Sequence, residues 1–469
     1  MSSVFAVNKL LYNIKRLIPA KFFKLLQPIY HFIFAWFATF IYGFPSEKLI
    51  IIGVTGTTGK TTSVYMIAKM LESAGIKTGF TSTAMFNDGK NEWMNDKKMT
   101  MMGRFFTQRI LKKMYKNSCQ AAIIETTSEG IRQFRHRFIN YDLLVFTGLY
   151  EEHIESHGSF ENYKKAKGEL FNHLKRCRKK YIDDNLKVKK ISSGFKKIDY
   201  KPLKKTIIVN GLDGHADYFL NFWAERKIVY VDNKENIIKQ DNVEYIDFAN
   251  IKSDNQGTAF EFFGVEVNLC LLGEFNALNA MNAVGVGLAL DLQKKKIKDG
   301  LEKITGVAGR LERINENQDF TVIVDYAFEP KAVEKLYEVI KNIPHKKIIH
   351  VLGAAGGGRD KVKRPILGKL AGVNSDYVIV TNEDPYDEDP AIIIDQVALG
   401  AERAGKKQGK DLFMIMDRQE AIKKAFQLAN AEDIVLITGK GNEQAICIAN
   451  GEKIVWDDRK VARELLRSK

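Results

Sequence analysis

Cysteine is scarce: Cys119, Cys177, Cys270 and Cys447 are the only four in 469 residues, far apart, with no C-x-x-C pair and no histidine at zinc-finger spacing. A disulfide framework and a structural zinc site are thereby excluded, and a reducing cytosol is the compartment that fits. Proline is scarce too, nine in all, which leaves no proline-rich spacer. No repeat or heptad pattern runs through the chain. Nor is there an apolar stretch of the ~18–20 residues needed to span a bilayer; the run from Ile29 to Phe44 stops at sixteen. What is present is the balance of a folded protein, 45% hydrophobic and 28% charged residues, too apolar for wholesale disorder. At about 150 residues per domain, the length predicts about three domains.

Charge is the one unusual quantity. Lysine and arginine outnumber aspartate and glutamate by 72 to 57, a formal net of +15, which if spread evenly would point to nucleic acid or an anionic surface. The excess is local. Residues 1–50 carry a net of +5 and residues 164–205 a net of +12, which leaves −2 for the remainder. No nucleic-acid surface is expected. The first patch adjoins the apolar run, rich in Phe, Trp and Tyr, and together they read as a basic, aromatic helical arm over residues 1–47. Such an arm either makes peripheral contact with a membrane interface or packs on the protein itself.

Leu49 to Val54 (LIIIGV) is short, apolar and largely β-branched, the pattern of a buried parallel strand. It runs into Thr55-Gly56-Thr57-Thr58-Gly59-Lys60-Thr61-Thr62, after which Val64, Ile67, Ala68 and Leu71 recur at helical spacing. In a strand, glycine loop and helix, backbone N–H groups wrap a phosphate and the helix N-terminus faces the anion. Lys60 then reaches the β- and γ-phosphates and the Thr61 hydroxyl serves Mg2+. Val54 stands where the general G-x-x-x-x-G-K-[ST] pattern has glycine, so this loop is a variant. The basic, apolar N-terminus also mimics a secretory signal, but export would part this loop from ATP.

Two further strands end in chemistry. Ala121 to Ile124 ends in Glu125-Thr126-Thr127-Ser128, a carboxylate beside the phosphate loop, placed to hold Mg2+ or its water. Leu143 to Thr147 leads to Glu151-Glu152-His153 and His157-Gly158, then to a helix bearing Tyr163, Lys167 and Phe171. Either histidine, taken alone, reads as readily as a surface or core residue.

Together, GTTGKTT (56–62), Glu125-x-x-Ser128 and EEHIESHGSFENYKKAKGELF (151–171) resemble the Mur ligase family, the ATP-dependent ligases that build the peptide stem of bacterial cell-wall precursors. The likeness is strongest to the branch that adds the third amino acid. It continues, in the family's order, through GEFNALNAMNA (273–283), GVAGRLERI (306–314), DYAFEP (325–330), GGGRDKVKRP (356–365), NEDPYDEDP (382–390), GKGNE (439–443) and DDRKVARELL (457–466). The resemblance implies that Gly56, Thr57, Thr58, Gly59, Lys60, Thr61 and Thr62 hold the ATP phosphates, with Asn279, Arg310 and Asp325 around adenine and ribose. It implies magnesium at Thr61, Glu125, His153 and a carbamylated Lys167, and a catalytic set of Lys60, Lys167, His153 and Glu125. Ser128 and Arg135 match positions that bind the muramoyl acceptor, and Arg359, Asp384, Gly439 and Glu443 complete the substrate contacts. In the implied reaction the acceptor carboxylate attacks the γ-phosphate of ATP, giving an acyl phosphate and ADP, and an amine then displaces phosphate. The partners implied are a muramoyl-peptide carboxylate and a free amino acid. The enzyme is expected to be a cytoplasmic monomer, held at the inner face of the membrane if the arm engages it.

The chain departs from the family at three points. Family members begin with a domain that holds the UDP end of the substrate; here only the arm precedes the first strand, so that module is missing or replaced, and Thr100-Met101-Met102 stands at the family's Thr-Thr-Pro contact. Where the diaminopimelate-adding type has Asp-Asn-Pro-Arg, this chain has Glu383-Asp384-Pro385-Tyr386. A tyrosine cannot offer a carboxylate the donor fork of an arginine, while Glu383, Asp384, Asp387 and Glu443 suit an ammonium, so lysine or ornithine is the expected amine. Phe328 and Asn442 replace family histidines, and those contacts are not carried over.

The coarse order is strand–helix alternation after the arm, a more antiparallel-looking stretch from about 206 to 272, then FTVIVDY (320–326), KIIHVLG (347–353), YVIVT (377–381), LFMIM (412–416) and DIVLITG (433–439) between helical segments. This reads as α/β, a P-loop central domain with a mostly parallel sheet followed by a C-terminal doubly wound, Rossmann-like domain. The expected boundaries are 1–47, 48–306 and 307–469, with the joint near Gly306 to Arg310 letting the last domain close over the nucleotide. Two alternatives stay open: a relative acting on a lipid-linked, folate or polyamide carboxylate, and a membrane-associated nucleotide-binding module without ligase activity.

Overall fold

The structure is a computed structural model that describes residues 20–151, 157–189, 200–232, 242–358 and 361–468. The apolar run after the arm becomes the strand Ile50–Thr55, buried along its whole length. It lies between Ala121–Glu125 and Leu143–Phe146, parallel to both, with Val54 in register with Glu125 and with Val145. Beyond Leu143–Phe146 the sheet continues through Thr206–Asn210, Arg226–Val231 and Val243–Ser253, all parallel, and closes with Thr258–Phe262 and Val265–Leu269, which are antiparallel. Beyond Ala121–Glu125 it continues through Thr78–Thr81 and a hairpin of Met85–Asn87 and Glu92–Met94, eleven strands among the described residues.

The stretch from 206 to 272 is therefore only partly antiparallel. TIIVN (206–210) is buried on both faces, as a strand inside a helix-covered parallel sheet must be. The buried-and-half-buried alternation of a one-sided strand begins later, for example in Thr258–Phe262. Period-two geometry sends Ile50, Ile52 and Val54 into one core with helices Lys60–Ser73 and Phe275–Ala289, and Leu49 and Ile51 into the other with helices Arg104–Lys116 and Phe160–Leu174.

The second sheet runs in the order Glu312–Ile314, Thr321–Val324, Ile434–Ile437, Ile348–Leu352, Tyr377–Thr381 and Leu412–Ile415, and is parallel except for its first strand. Helices cover both faces, Val333, Leu336, Leu367 and Val397 filling one core and Ile422, Phe426 and Ala462 the other. The α/β reading, with a doubly wound C-terminal block, is the fold the chain adopts.

Two cations of the basic segment are structural. Lys180 and Lys205 converge on Asp142 in the core, Lys205 Nζ lying 2.8 Å from Oδ1, while Asp142 Oδ2 also accepts from the Ile51 amide at 2.9 Å. The carbonyls of Leu49 and Asn140 take the remaining protons of Lys180, and the Tyr141 carbonyl and Asn140 Oδ1 those of Lys205, which is what a buried ammonium needs to remain charged. The N-terminal helix Ala20–Tyr42 packs along Arg104–Lys116 and buries Ala35, Ala38 and Thr39. No helix among the described residues is long and apolar enough to cross a membrane.

Candidate active site

The phosphate loop is shaped by two glycines where a larger residue would be strained. Gly59 caps the helix Lys60–Ser73 at φ +76°, and a Cβ there would come within 2.2 Å of Asn279 Oδ1. A Cβ on Gly56 would come within 2.0 Å of Thr147 Oγ1. Both positions need the left-handed backbone that glycine adopts without penalty. The Thr57 amide donates to Gly148 O at 2.8 Å and the Thr147 hydroxyl to Thr58 O at 2.6 Å, so the loop is held from the end of the neighbouring strand. Lys60 Nζ turns back onto Thr57 O at 2.6 Å.

Because Val54 and Glu125 share a register position, the carboxylate emerges at the tip of the sheet beside the loop. Buried to 1% exposure, it accepts from Thr61 Oγ1 at 2.9 Å and the Thr83 amide at 2.8 Å through Oε2, and from Thr83 Oγ1 at 2.9 Å through Oε1. Thr61 and Glu125 present hydroxyl and carboxylate oxygens, hard donors of the kind Mg2+ takes, in the small number expected of an ion that also binds substrate phosphate and water. Among the described residues no three His, Cys, Asp or Glu side chains converge as a metal cluster.

Lys167, also on helix Phe160–Leu174 and 1% exposed, donates to Gly56 O at 2.7 Å and lies 4.5 Å from the centre of the Tyr163 ring. Tyr163 OH meets Thr57 Oγ1 at 3.2 Å. Ser128 Oγ and His157 Nε2 are 3.1 Å apart. Arg135 is folded onto Gln133 Oε1 (2.6 and 3.1 Å) and the Met101 carbonyl.

From the C-terminal half, Arg310 lies 4.5 Å from the centre of the Tyr326 ring and donates to Asn442 Oδ1 at 3.1 Å. Asp325 accepts the Leu311 and Ala327 amides, each at 2.7 Å. Burial pushes its carboxyl above the usual carboxylate range despite the nearby Arg310 charge. Asn279 donates to Asn276 Oδ1 at 3.0 Å and, through Ser63 and Asn282, joins a polar chain that ends at Tyr230.

The acidic cluster holds a surprise for the amine reading. Asp384 and Glu443 already accept two ammonium groups of the chain itself. Lys98 bridges them at 2.6 and 2.9 Å, and Lys440 at 2.8 and 2.6 Å. Burial opposes the charge on Lys98, but Glu443 and Asp384 outweigh it and hold the ammonium above its ordinary range. Glu383 lies behind them without a hydrogen-bond partner on Oε2, 2.4 Å from where a Cβ on Gly439 would sit. Burial raises its carboxyl to about 7, and Asp384 and Glu443 add to that rise while Lys440 and Arg418 oppose it.

A cleft of about 1050 Å³ unites these groups. Thr57 to Thr62, Glu125, Ser128, Arg135 and Asn279 line it from the first half, and Arg310, Asp325 and Glu443 from the second. Gly56, Lys167, Asp384 and Gly439 are not on its wall; Lys167 is tied to the loop through Gly56 O, Asp384 is paired with the lining residue Lys98, and Gly439 lies against Glu383. His153 and Arg359 lie outside the described residues. Sequence reasoning missed Thr83, Lys98 and Lys440. Lys440 sits inside the quoted GKGNE run, whereas Thr83 and Lys98 lie in segments with neither periodicity nor motif.

The Mur ligase middle domain family matches residues 54–287, and the Mur ligase glutamate ligase domain family matches residues 309–441. A UDP-N-acetylmuramyl-tripeptide synthetase of Roseiflexus sp. is 35% identical over 438 residues, 92% of this chain and 81% of its own length. A UDP-N-acetylmuramoyl-L-alanyl-D-glutamate–2,6-diaminopimelate ligase of Bacillus cereus is 31% identical, over 92% of this chain and 80% of its own. A solved structure of a ligase with the latter name superposes with a TM-score of 0.57 at 26% identity, covering 90% of this chain and 79% of its own. With both halves matched in order and a relative at this identity, the chain belongs to the Mur ligase family of ATP-dependent ligases.

Proposed function

We propose that this chain uses ATP to join the terminal carboxylate of a muramoyl-peptide cell-wall precursor to a free amino acid, through an acyl phosphate. The observation that carries this reading is the cleft whose walls combine the phosphate loop and Glu125 with Arg310 and Asp325. Phosphoryl transfer from ATP to a carboxylate brings two anions together, so positioned positive charge and N–H donors supply most of the catalysis. Lys60 would exchange the Thr57 carbonyl for a phosphate oxygen, and the N-terminus of helix Lys60–Ser73 would meet the same anion. Thr83 keeps both oxygens of Glu125 aimed, and Arg310 and Asp325 would hold the nucleoside. Thr61 and Glu125 would hold a magnesium ion, which when bound supplies Lewis-acid stabilisation of phosphate charge.

We further assign Lys167 as carbamylated. A carbamate keeps one N–H for Gly56 O and converts a buried cation into an anion; a carbon-13 carbamate signal after exposure to labelled bicarbonate is the expected result, and its absence from active enzyme would refute the assignment. His153 joins the proposed catalytic and metal set, and Ser128, Arg135, Arg359, Asp384, Gly439 and Glu443 the acceptor and amine contacts. Domain limits of 1–47, 48–306 and 307–469 belong to the same reading, with closure about the joint near Gly306. So does peripheral membrane contact through residues 1–47 at the cytoplasmic face.

The proposed amine is lysine or ornithine. With Asp384 and Glu443 already paired, the support rests on Tyr386, which lines the cleft and lacks the donors to hold a distal carboxylate. A phosphate-release screen of amino acids with UDP-muramoyl-dipeptide tests both levels. Release that requires acceptor and amine together supports the ligase; ATP hydrolysis indifferent to both refutes it. Faster release with diaminopimelate than with lysine overturns only the amine.

A further inference from the structure

We propose that helix Ala20–Tyr42 seats the enzyme flat on an anionic lipid bilayer, with the face opposite its contact with helix Arg104–Lys116 buried among the lipid head groups and upper acyl chains. The inference rests on the peripheral contact proposed above and deepens it by naming the face, the orientation and the lipid charge.

The helix is apolar almost all round. Its protein-facing stripe is narrow and small, Ala35, Ala38 and Thr39, while Ile29, Ile33, Trp36, Phe40 and Ile41 are each 46–59% exposed. Soluble proteins seldom leave so many large side chains in one continuous patch, and a helix without a polar face belongs in a core or against lipid. The ring contacts that flank this stripe decide the orientation. Phe34 and Phe37 pack edge-on to Phe105, and Phe32 to Phe138 at 5.0 Å, so the helix could stand across a bilayer only by leaving the protein. Lying flat, it keeps those contacts.

Charge selects the partner. Neither helix Ala20–Tyr42 nor helix Arg104–Lys116 contains an aspartate or glutamate. Arg109, Lys116 and Lys48, on or beside the helix that Ala20–Tyr42 packs against, are exposed, and Lys112 lies 5.8 Å from the centre of the Tyr42 ring. A second copy would bring like charges together across a dry contact, which costs energy, whereas phosphatidylglycerol-type head groups would neutralise them. The acceptor end of the cleft is close at hand, because Arg135 on its wall lies three residues before Phe138.

Co-sedimentation of the full chain with phosphatidylcholine vesicles, with and without phosphatidylglycerol, tests the proposal. Binding is expected to need the anionic lipid and to weaken with salt. Trp36→Glu with Phe40→Glu should lower it about tenfold or more, and Arg109→Glu with Lys116→Glu, which disturbs no core contact, by a similar factor. Equal binding to both vesicle types, wild-type binding by either double variant, or a concentration-dependent dimer abolished by Trp36→Glu/Phe40→Glu overturns it. Amine-dependent phosphate release, measured on the same proteins without vesicles, should be unchanged in both double variants; that readout separates failure of the docking proposal from failure of the ligase reading.

Discussion

At the scale of single residues, Glu125 and Glu383 are both buried carboxylates in different circumstances. Both oxygens of Glu125 are occupied by Thr61 and Thr83, so its orientation is fixed before any ligand arrives. Glu125→Gln should reduce kcat for amine-dependent phosphate release by about 10²-fold or more, and Thr83→Ala, which only loosens the carboxylate, by about tenfold. Glu383 has no partner on Oε2, and burial raises it from the usual 4.5 to about 7. The folded protein therefore keeps a proton that the unfolded chain has released, so this residue makes stability fall as pH rises from about 4.5 to about 7. The swing is on the order of 3 kcal/mol. Glu383→Gln should flatten that part of the profile in urea unfolding and raise stability at pH 8; an unchanged slope would remove Glu383 as its cause.

At the scale of elements, the phosphate loop shows why some chemistry is legible in a sequence. Its glycines, lysine and threonine are consecutive, and the strand before and helix after announce themselves by periodicity. Gly59 then proves doubly constrained, by φ +76° and by the 2.2 Å approach to Asn279 Oδ1 that a Cβ would make. Gly59→Ala should raise the KM for ATP about tenfold and lower Tm by several degrees, measured by steady-state kinetics and calorimetry. The stretch from about 206 to 272 reads as antiparallel in the sequence, whereas Thr206–Asn210 and Arg226–Val231 pair in parallel, because a buried run reads the same in a parallel or an antiparallel sheet. The basic segment misleads in another way. A count of charges cannot tell that Lys180 and Lys205 turn inward to Asp142, which lies before the segment in sequence.

At the scale of the whole molecule, the least legible feature is the bridge from Lys98 to Asp384, spanning 286 positions and joining the two halves across the cleft. No local pattern marks either partner for the other. Lys98→Met leaves Lys440 to hold both carboxylates, and small-angle scattering should then report a larger radius of gyration at low salt than for the parent chain. An unchanged radius would mean that closure depends on other contacts. The same lysine bears on how the enzyme responds to its amine. Any substrate ammonium bound for Asp384 and Glu443 meets a tethered competitor, present at an effective concentration in the millimolar range, as for a short flexible link. If the amine is lysine and docks on these acids, as proposed, half-saturation by lysine should drop in Lys98→Met, so that the chain's own side chain would set the level of free amino acid below which the cleft stays idle.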